Sequence, residues 1–411
     1  MNFDITLANP VWTHELVIAL ATIFLLAVLT MPAGVGGGIL FVPVLRLVAN
    51  YSQGEATSLS QVLITGASAG SILFQIIWQC RHKTEHMHAK SHFVMIMMPA
   101  LLSGSLIGVY LNKWLPEITS LAALVVLCLV SSVSILKKGY IIYKKETAQK
   151  IASENESIPP PCFVRQLSLM SIDAGINVAV SEDEEICEVL SVPFIRDHTD
   201  DIINTKGISA SQFVLFVVTY WILLIVFTLT RGSRSHPSIF NVNPCETIYW
   251  LVTVTQMLLG LCIAWIFAAI GEMKLIWVTF LAGVLATFSG ASGGILLNPL
   301  LLNKGLDPEQ TAAIVTVIMF VMASCSTVEF LMEGKINPAL VSTMDITFAA
   351  SILGMTVITW LIHKLGRQSL LVFLLGYMVI AGGGMLLYIG FHDILQSKHL
   401  GIGPLAMGIL C

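Results

Sequence analysis

Gly34-Val35-Gly36-Gly37-Gly38-Ile39-Leu40-Phe41-Val42-Pro43 interrupts an apolar stretch near the start of the chain, and Gly290-Ala291-Ser292-Gly293-Gly294-Ile295-Leu296-Leu297-Asn298-Pro299 repeats it near the end. Glycines, Ile-Leu and proline fall at matching places. The offset of 256 that carries Gly34 to Gly290 also carries Leu45 to Leu301, Ala56 to Ala312 and Phe74 to Phe330. A hydrophobic segment broken at corresponding positions in both halves is the construction of secondary transporters, and the breaks point to the binding site.

Working outward, the 411 residues are 56% hydrophobic and 11% charged, against about 25% charged in a soluble domain. Apolar stretches of roughly 17–25 residues span a bilayer. They predict helices near 13–31, 56–79, 92–111, 117–137, 209–230, 247–271, 273–289, 309–332, 339–363 and 369–391, with shorter ones at 37–49 and 293–303 after the glycine turns. The apolar runs are continuous rather than alternating, which excludes a membrane β-barrel. The expected fold is an all-α integral membrane protein: a polytopic helical bundle of two homologous, inverted repeats, each with a Gly-rich broken helix and short helix, plus two linker helices. Its expected place is multi-pass in the plasma membrane or an internal membrane.

The net charge of -4 comes without a long basic tract, so nucleic acid is not an expected partner. Eight cysteines show no disulfide or zinc spacing, and those beside apolar helices (Cys80, Cys128, Cys262, Cys325) read as small buried hydrophobes. Residues 1–12 lack the basic start of a cleavable signal peptide.

Composition divides the chain into a first transmembrane repeat (1–143), a polar and mobile cytosolic loop (144–208), two linker helices (209–271), a second transmembrane repeat (272–391) and a C-terminal tail (392–411). The loop holds Pro159-Pro160-Pro161 and the acidic run Glu182-Asp183-Glu184-Glu185, and such a segment buries little apolar area. If each short helix and the longer one before it cross out and back, fifteen Lys and Arg fall on one side and five on the other. The richer side is then cytosolic, both termini face outward, and the repeats are inverted. If the short helices do not cross, the split is fourteen to six with parallel repeats. Inversion is adopted because it lets the two broken segments meet near the midplane.

Without a Cβ, glycine takes positive φ and lets backbone approach a ligand closely. The first N–H groups of the helix that follows have no intrahelical acceptor, and the dipole adds about half a positive charge. Such a terminus suits a small oxyanion. The turns therefore nominate Gly36, Gly37 and Gly38 with Thr57 and Ser58 in the first half. In the second they nominate Ser289, Ser292, Gly293, Gly294, Asn298 and Thr311, with Thr316 nearby. Hydroxyls and amides can donate to oxyanion oxygens. The competing reading is that glycine and serine serve only close helix packing; two equivalent breaks, each followed by a proline-bearing short helix, favour the site. A dinucleotide fingerprint is excluded, since neither turn follows a strand, and no cofactor is expected.

The run Gly36–Pro43 with Ala56-Thr57-Ser58-Leu59, and its echo from Gly290 to Pro299, resembles the sulfite exporter TauE/SafE-like family over roughly 13–137 and 273–391. The resemblance implies a polytopic carrier exporting a small sulfur-containing anion, sulfite or an organosulfonate. It departs where Ala312-Ala313-Ile314 replaces the hydroxyls of Ala56-Thr57-Ser58 and where Leu302 stands opposite Arg46.

Charges within apolar runs are functional candidates. Arg46, a turn beyond Pro43, either attracts anions or snorkels to the interface. Asp345 and Glu329 both sit within second-half helices, and either could carry a coupling proton if burial raises its pKa. Glu329, near a helix end, reads as reaching water, which leaves Asp345 the better candidate. Sodium is the other candidate coupling ion. A rival reading takes His82, His86, His88 and His92 as metal ligands of a membrane-bound oxidoreductase; the remaining histidines are scattered, and imidazoles bind metal when they converge. No metal and no enzymatic activity are therefore expected. An anion channel is a further alternative.

Overall fold

A computed structural model describes residues 13–34, 36–82, 87–114, 117–154, 210–232, 246–268, 272–288, 293–365 and 369–400. Among them are twelve α-helices and no strand: α1 (His14–Thr30), α2 (Gly38–Leu47), α3 (Gln53–His82), α4 (Met87–Trp114), α5 (Glu117–Glu154), α6 (Ala210–Arg231), α7 (Thr247–Phe267), α8 (Met273–Phe288), α9 (Gly294–Asn303), α10 (Pro308–Met332), α11 (Met344–Leu365) and α12 (Ser369–Leu400). A 3-10 turn, Pro338–Thr343, leads into α11. Eight of these segments are long and apolar enough to cross a membrane; the protein is multi-pass. α5 runs eleven residues past the expected end of the first repeat at 143, and α12 passes 391. Residues 155–209, most of the expected polar loop, lie outside the described residues.

Local chemistry sets the helix starts. Thr13 caps α1, its Oγ1 accepting from the Leu16 amide at 3.2 Å, and Glu15 in the first turn complements the dipole. Ser52 and Glu55 form a reciprocal capping box before α3: the Ser52 amide donates to Glu55 Oε2 at 3.1 Å and the Glu55 amide donates to Ser52 Oγ at 3.4 Å. Pro308 opens α10, where its missing N–H is no loss. α2 and α9 have ten residues each, about 15 Å at 1.5 Å per residue. That is half a bilayer core, so neither can cross alone.

The 256 offset maps α2 (38–47) onto α9 (294–303) end to end. Contacts then run between the halves in exchanged pairs. α2 packs on α12 and α9 on α5; α8 packs on α4 and α1 on α11; α3 meets α10 and α5 meets α12. Lipid tails are as apolar as leucine, so close packing holds such helices together. The Val28 carbonyl sits against Gly354 of α11, and the Val284 carbonyl, its counterpart at the 256 offset, sits against Gly108 of α4. A Cβ at either glycine would collide with that carbonyl.

Register gives direction. Gly66 abuts Met344 and Gly70 abuts Phe348, so α3 and α11 run parallel. The hydroxyls of Thr65 and Thr327 meet at 3.2 Å, while Tyr51 and Glu55 at the start of α3 share a cavity of about 200 Å³ with Lys335 and Asn337 beyond the end of α10. α3 and α10 therefore run antiparallel. α4 is the interior helix, with 72% of its apolar span buried, against 17% for α6 and 22% for α7; the linker helices line the rim.

Candidate anion site at the broken helices

Three glycines shape the first break: Gly34, Gly36 and Gly37 have φ of 70°, 75° and 70°, the left-handed region that L side chains avoid. Gly37 is the N-cap of α2, and the amides of Leu40 and Phe41 both donate to its carbonyl at 2.9 Å. At the second break Gly293 holds the same post, its carbonyl accepting from Leu296 at 3.2 Å and Leu297 at 3.1 Å. Its φ is -56°, ordinary helical backbone. In both helices the amides ahead of these, on Gly38 and Ile39 and on Gly294 and Ile295, precede the intrahelical ladder. Pro43 and Pro299 follow inside each short helix.

The halves meet at the first break. Asn298, buried on α9, donates its Nδ2 to the carbonyl of Gly34 at 3.1 Å and to that of Ala33 at 3.4 Å. Position 42, its counterpart at the offset of 256, is valine, so the tie is one-sided. Gly34 also lies against Ala312 of α10, where a Cβ would stand 2.9 Å from the Ala312 Cα. Gly293 instead faces Leu101 of α4 and Met322 of α10. Thr311, beside Ala312, is 2% exposed and Thr30, the last residue of α1, is 0% exposed; neither hydroxyl has a partner among the described residues. A buried hydroxyl without a partner is costly, and two of them flank the turn.

The other nominated residues take different roles. Gly36, Gly38 and Gly294 are buried. Thr57 and Ser58 donate back into α3, to Gln53 O at 2.8 Å and Gly54 O at 2.7 Å. Thr316 likewise donates to Ala312 O at 2.7 Å. A hydroxyl carries one hydrogen, so in this conformation these three offer only lone pairs. Arg46 is half-buried in the last turn of α2, where a cation suits the dipole. It lies eight positions past Gly38, roughly 12 Å along the helix axis, away from the break. Asp345 is exposed in the first turn of α11, so the burial on which its assignment as proton carrier depended is not met. Glu329 is ion-paired with Arg231 and keeps 22% of its side chain exposed. Ser289 and Ser292 lie outside the described residues, as does His86. His92 pairs with Glu272 at 3.0 Å, and among the described residues no three His, Cys, Asp or Glu come together as metal ligands. Thr30 lies outside the motif, which begins at Gly34; its place as the last residue of α1 before the break is the only sequence signal it carries.

The model of the family described as sulfite exporter TauE/SafE matches residues 6–159 and 205–385, taking in both breaks and every residue just placed. The chain belongs to the sulfite exporter TauE/SafE family. The family match passes over 160–204, within the polar segment. Among curated relatives, the chain is similar to three proteins of Arabidopsis thaliana. It is 25% identical to sulfite exporter TauE/SafE family protein 5, over 90% of this chain and 82% of the relative. It is 25% identical to family protein 1, over 94% and 87%, and 24% identical to family protein 2, over 95% and 87%. No solved structure matches the chain.

Proposed function

We propose that this TauE/SafE family member is a carrier, not an enzyme, and that it exports a small oxyanion, sulfite or an organosulfonate, by alternating access of two inverted halves. The observation that carries the reading is the contact of the second short helix, α9, with the first break. Asn298 of α9 holds the Ala33–Gly34 carbonyls, Gly34 rests on Ala312, and the hydroxyls of Thr30 and Thr311 stand buried without partners beside them. The antiparallel course of α3 and α10 supports inversion, because these are equivalent helices at the 256 offset. Irregular backbone at membrane depth persists where it is enclosed by protein or lines a cavity, and helix N-termini aimed at such a place favour an anion. Partial charges rather than a full cation hold the solute, which keeps release accessible.

In the mechanism, the anion takes the amides at the starts of α2 and α9 and the Thr30 and Thr311 hydroxyls as donors. Asn298 gives its amide to the Gly34 carbonyl in the conformation described, and the same N–H turns to the anion when the halves separate. A proton or sodium ion supplies the coupling. The test is sulfite flux in proteoliposomes. Saturable flux with counterflow, abolished by Gly37→Val in a folded, inserted protein, is expected. Non-saturating flux without counterflow identifies a channel instead, and unchanged flux in Gly37→Val refutes the site. Imposed pH and sodium gradients then identify the coupling ion.

A further inference from the structure

A second polar space lies apart from the first break. A cavity of about 50 Å³ opens between α4, α6, α7, α8 and α10, with Ser105, Arg231, Gln256, Thr287, Ser326 and Glu329 in its wall. That volume admits roughly four water-sized occupants. Arg231 is 5% exposed; its Nη2 donates to Glu329 Oε1, and its guanidinium carbon stands 5.7 Å from the Tyr249 ring centroid. Gln256 is nine-tenths buried, and its Oε1 and the Thr287 Oγ1 have no partner among the described residues. An ion pair serving packing alone needs neither open space nor spare polar atoms. This one has both, together with a guanidinium fork whose five donors exceed what one carboxylate oxygen accepts. Thr287 sits in the last turn of α8, just ahead of the second break, and Met322 both lines the cavity and stands where a Cβ on Gly293 would meet it at 3.7 Å.

We propose that this cavity is a second anion site, in which a small inorganic oxyanion replaces the Glu329 carboxylate at Arg231 and Glu329 takes up one proton in the exchange. The inference rests on the transport reading for its ligand class. An anion entering beside an ionised Glu329 would put two negative charges on one buried cation, which the low dielectric opposes; a protonated Glu329 removes one. The other groups facing the pair are Tyr110 of α4, Tyr249 of α7, and Cys325 and Glu333 around the end of α10. The Tyr110 hydroxyl donates to Tyr249 at 3.1 Å. Glu333 pairs with Lys335 at 2.7 Å, so Glu329 is the carboxylate that the anion must displace.

The experiment melts the detergent-purified full chain against sulfate, with gluconate, too bulky for the cavity, as the control at matched ionic strength. Glu329→Gln should melt below wild type because a buried cation has lost its partner. Sulfate should restore it saturably, with an apparent affinity at least about tenfold tighter than for wild type at neutral pH. In Arg231→Gln/Glu329→Gln the extra response should vanish while any binding at the glycine turns persists. Equal effects of sulfate and gluconate, or equal sulfate responses in the single and double variants, overturn the proposal. If Glu329→Gln does not fold, wild type answers: sulfate affinity should rise by up to about tenfold per pH unit as pH falls, and weaken in Thr287→Val. A flat profile overturns the proposal. Such failure beside intact sulfite counterflow leaves the transport reading standing, whereas Arg231-dependent binding without flux removes that reading and keeps this site.

Discussion

Asn298→Leu tests the tie between the two halves. Of its two hydrogen bonds, the one to Gly34 at 3.1 Å is within the usual N–H···O range and the one to Ala33 at 3.4 Å is long, so one full bond is at stake. Side-chain bonds between membrane helices average about 0.6 kcal/mol and reach about 1.7. Leucine has the branched outline of asparagine and leaves no cavity, though its methyls are bulkier and crowd the site, and the buried carbonyl keeps its desolvation penalty, about 1–3 kcal/mol. The larger figure governs, and a loss of about 1–3 kcal/mol is expected. Placed on the balance between the conformation described and those with the halves apart, that is a shift of about 5–150-fold. The variant should therefore melt several degrees lower in detergent and lose most sulfite counterflow. Asn298→Asp should fare worse than leucine, since an acceptor would then face two acceptors. A leucine variant with wild-type melting and wild-type flux would refute the reasoning.

Three more expectations follow from the same geometry. Gly34→Ala should be severe, because it combines about 1–2 kcal/mol of left-handed strain with a Cβ 2.9 Å from the Ala312 Cα, whereas Gly293→Ala meets only a Leu101 methyl at 3.2 Å on helical backbone and should be mild; equal melting temperatures would contradict the difference. Thr311→Val removes a hydroxyl that has no partner, so the melting temperature should hold or rise while the half-saturating sulfite concentration increases; an unchanged flux curve would take Thr311 out of the site. Deleting 165–200, inside the segment that the family match passes over, should leave sulfite flux within about twofold of wild type, a change under about 0.5 kcal/mol; lost flux in an inserted protein would give the segment a direct part in transport.

The helices were legible because apolar periodicity is not needed in a bilayer, only length: the short helices expected at 37–49 and 293–303 appear at Gly38–Leu47 and Gly294–Asn303. The far end of α5 was not. Lys144, Lys145 and Glu146 read as the start of a polar loop, yet a helix pays no toll for polar residues once it leaves the membrane, and Glu146 is held by the Ser369 amide and hydroxyl at 3.0 and 2.6 Å. At the site, the glycines and Asn298 were visible as motif positions. Thr57 and Ser58 looked like donors because residue type does not tell where a hydroxyl hydrogen goes, and in α3 it goes to the preceding turn. Arg231, on a linker helix, and Glu329, on a helix of the second repeat, stand 98 positions apart, and nothing in their local sequence announces the pairing.

The exchanged seating of the short helices bears on how the molecule is made. α2 rests on α12 and α9 on α5, so the first ten-residue helix waits for the last of the described helices before it has its full support. Until α12 arrives, Ile39 lacks the Gly382 face against which it finally lies. A nascent chain stopped after 271 holds a broken segment seated on α1 and α3 but without its α12 cover.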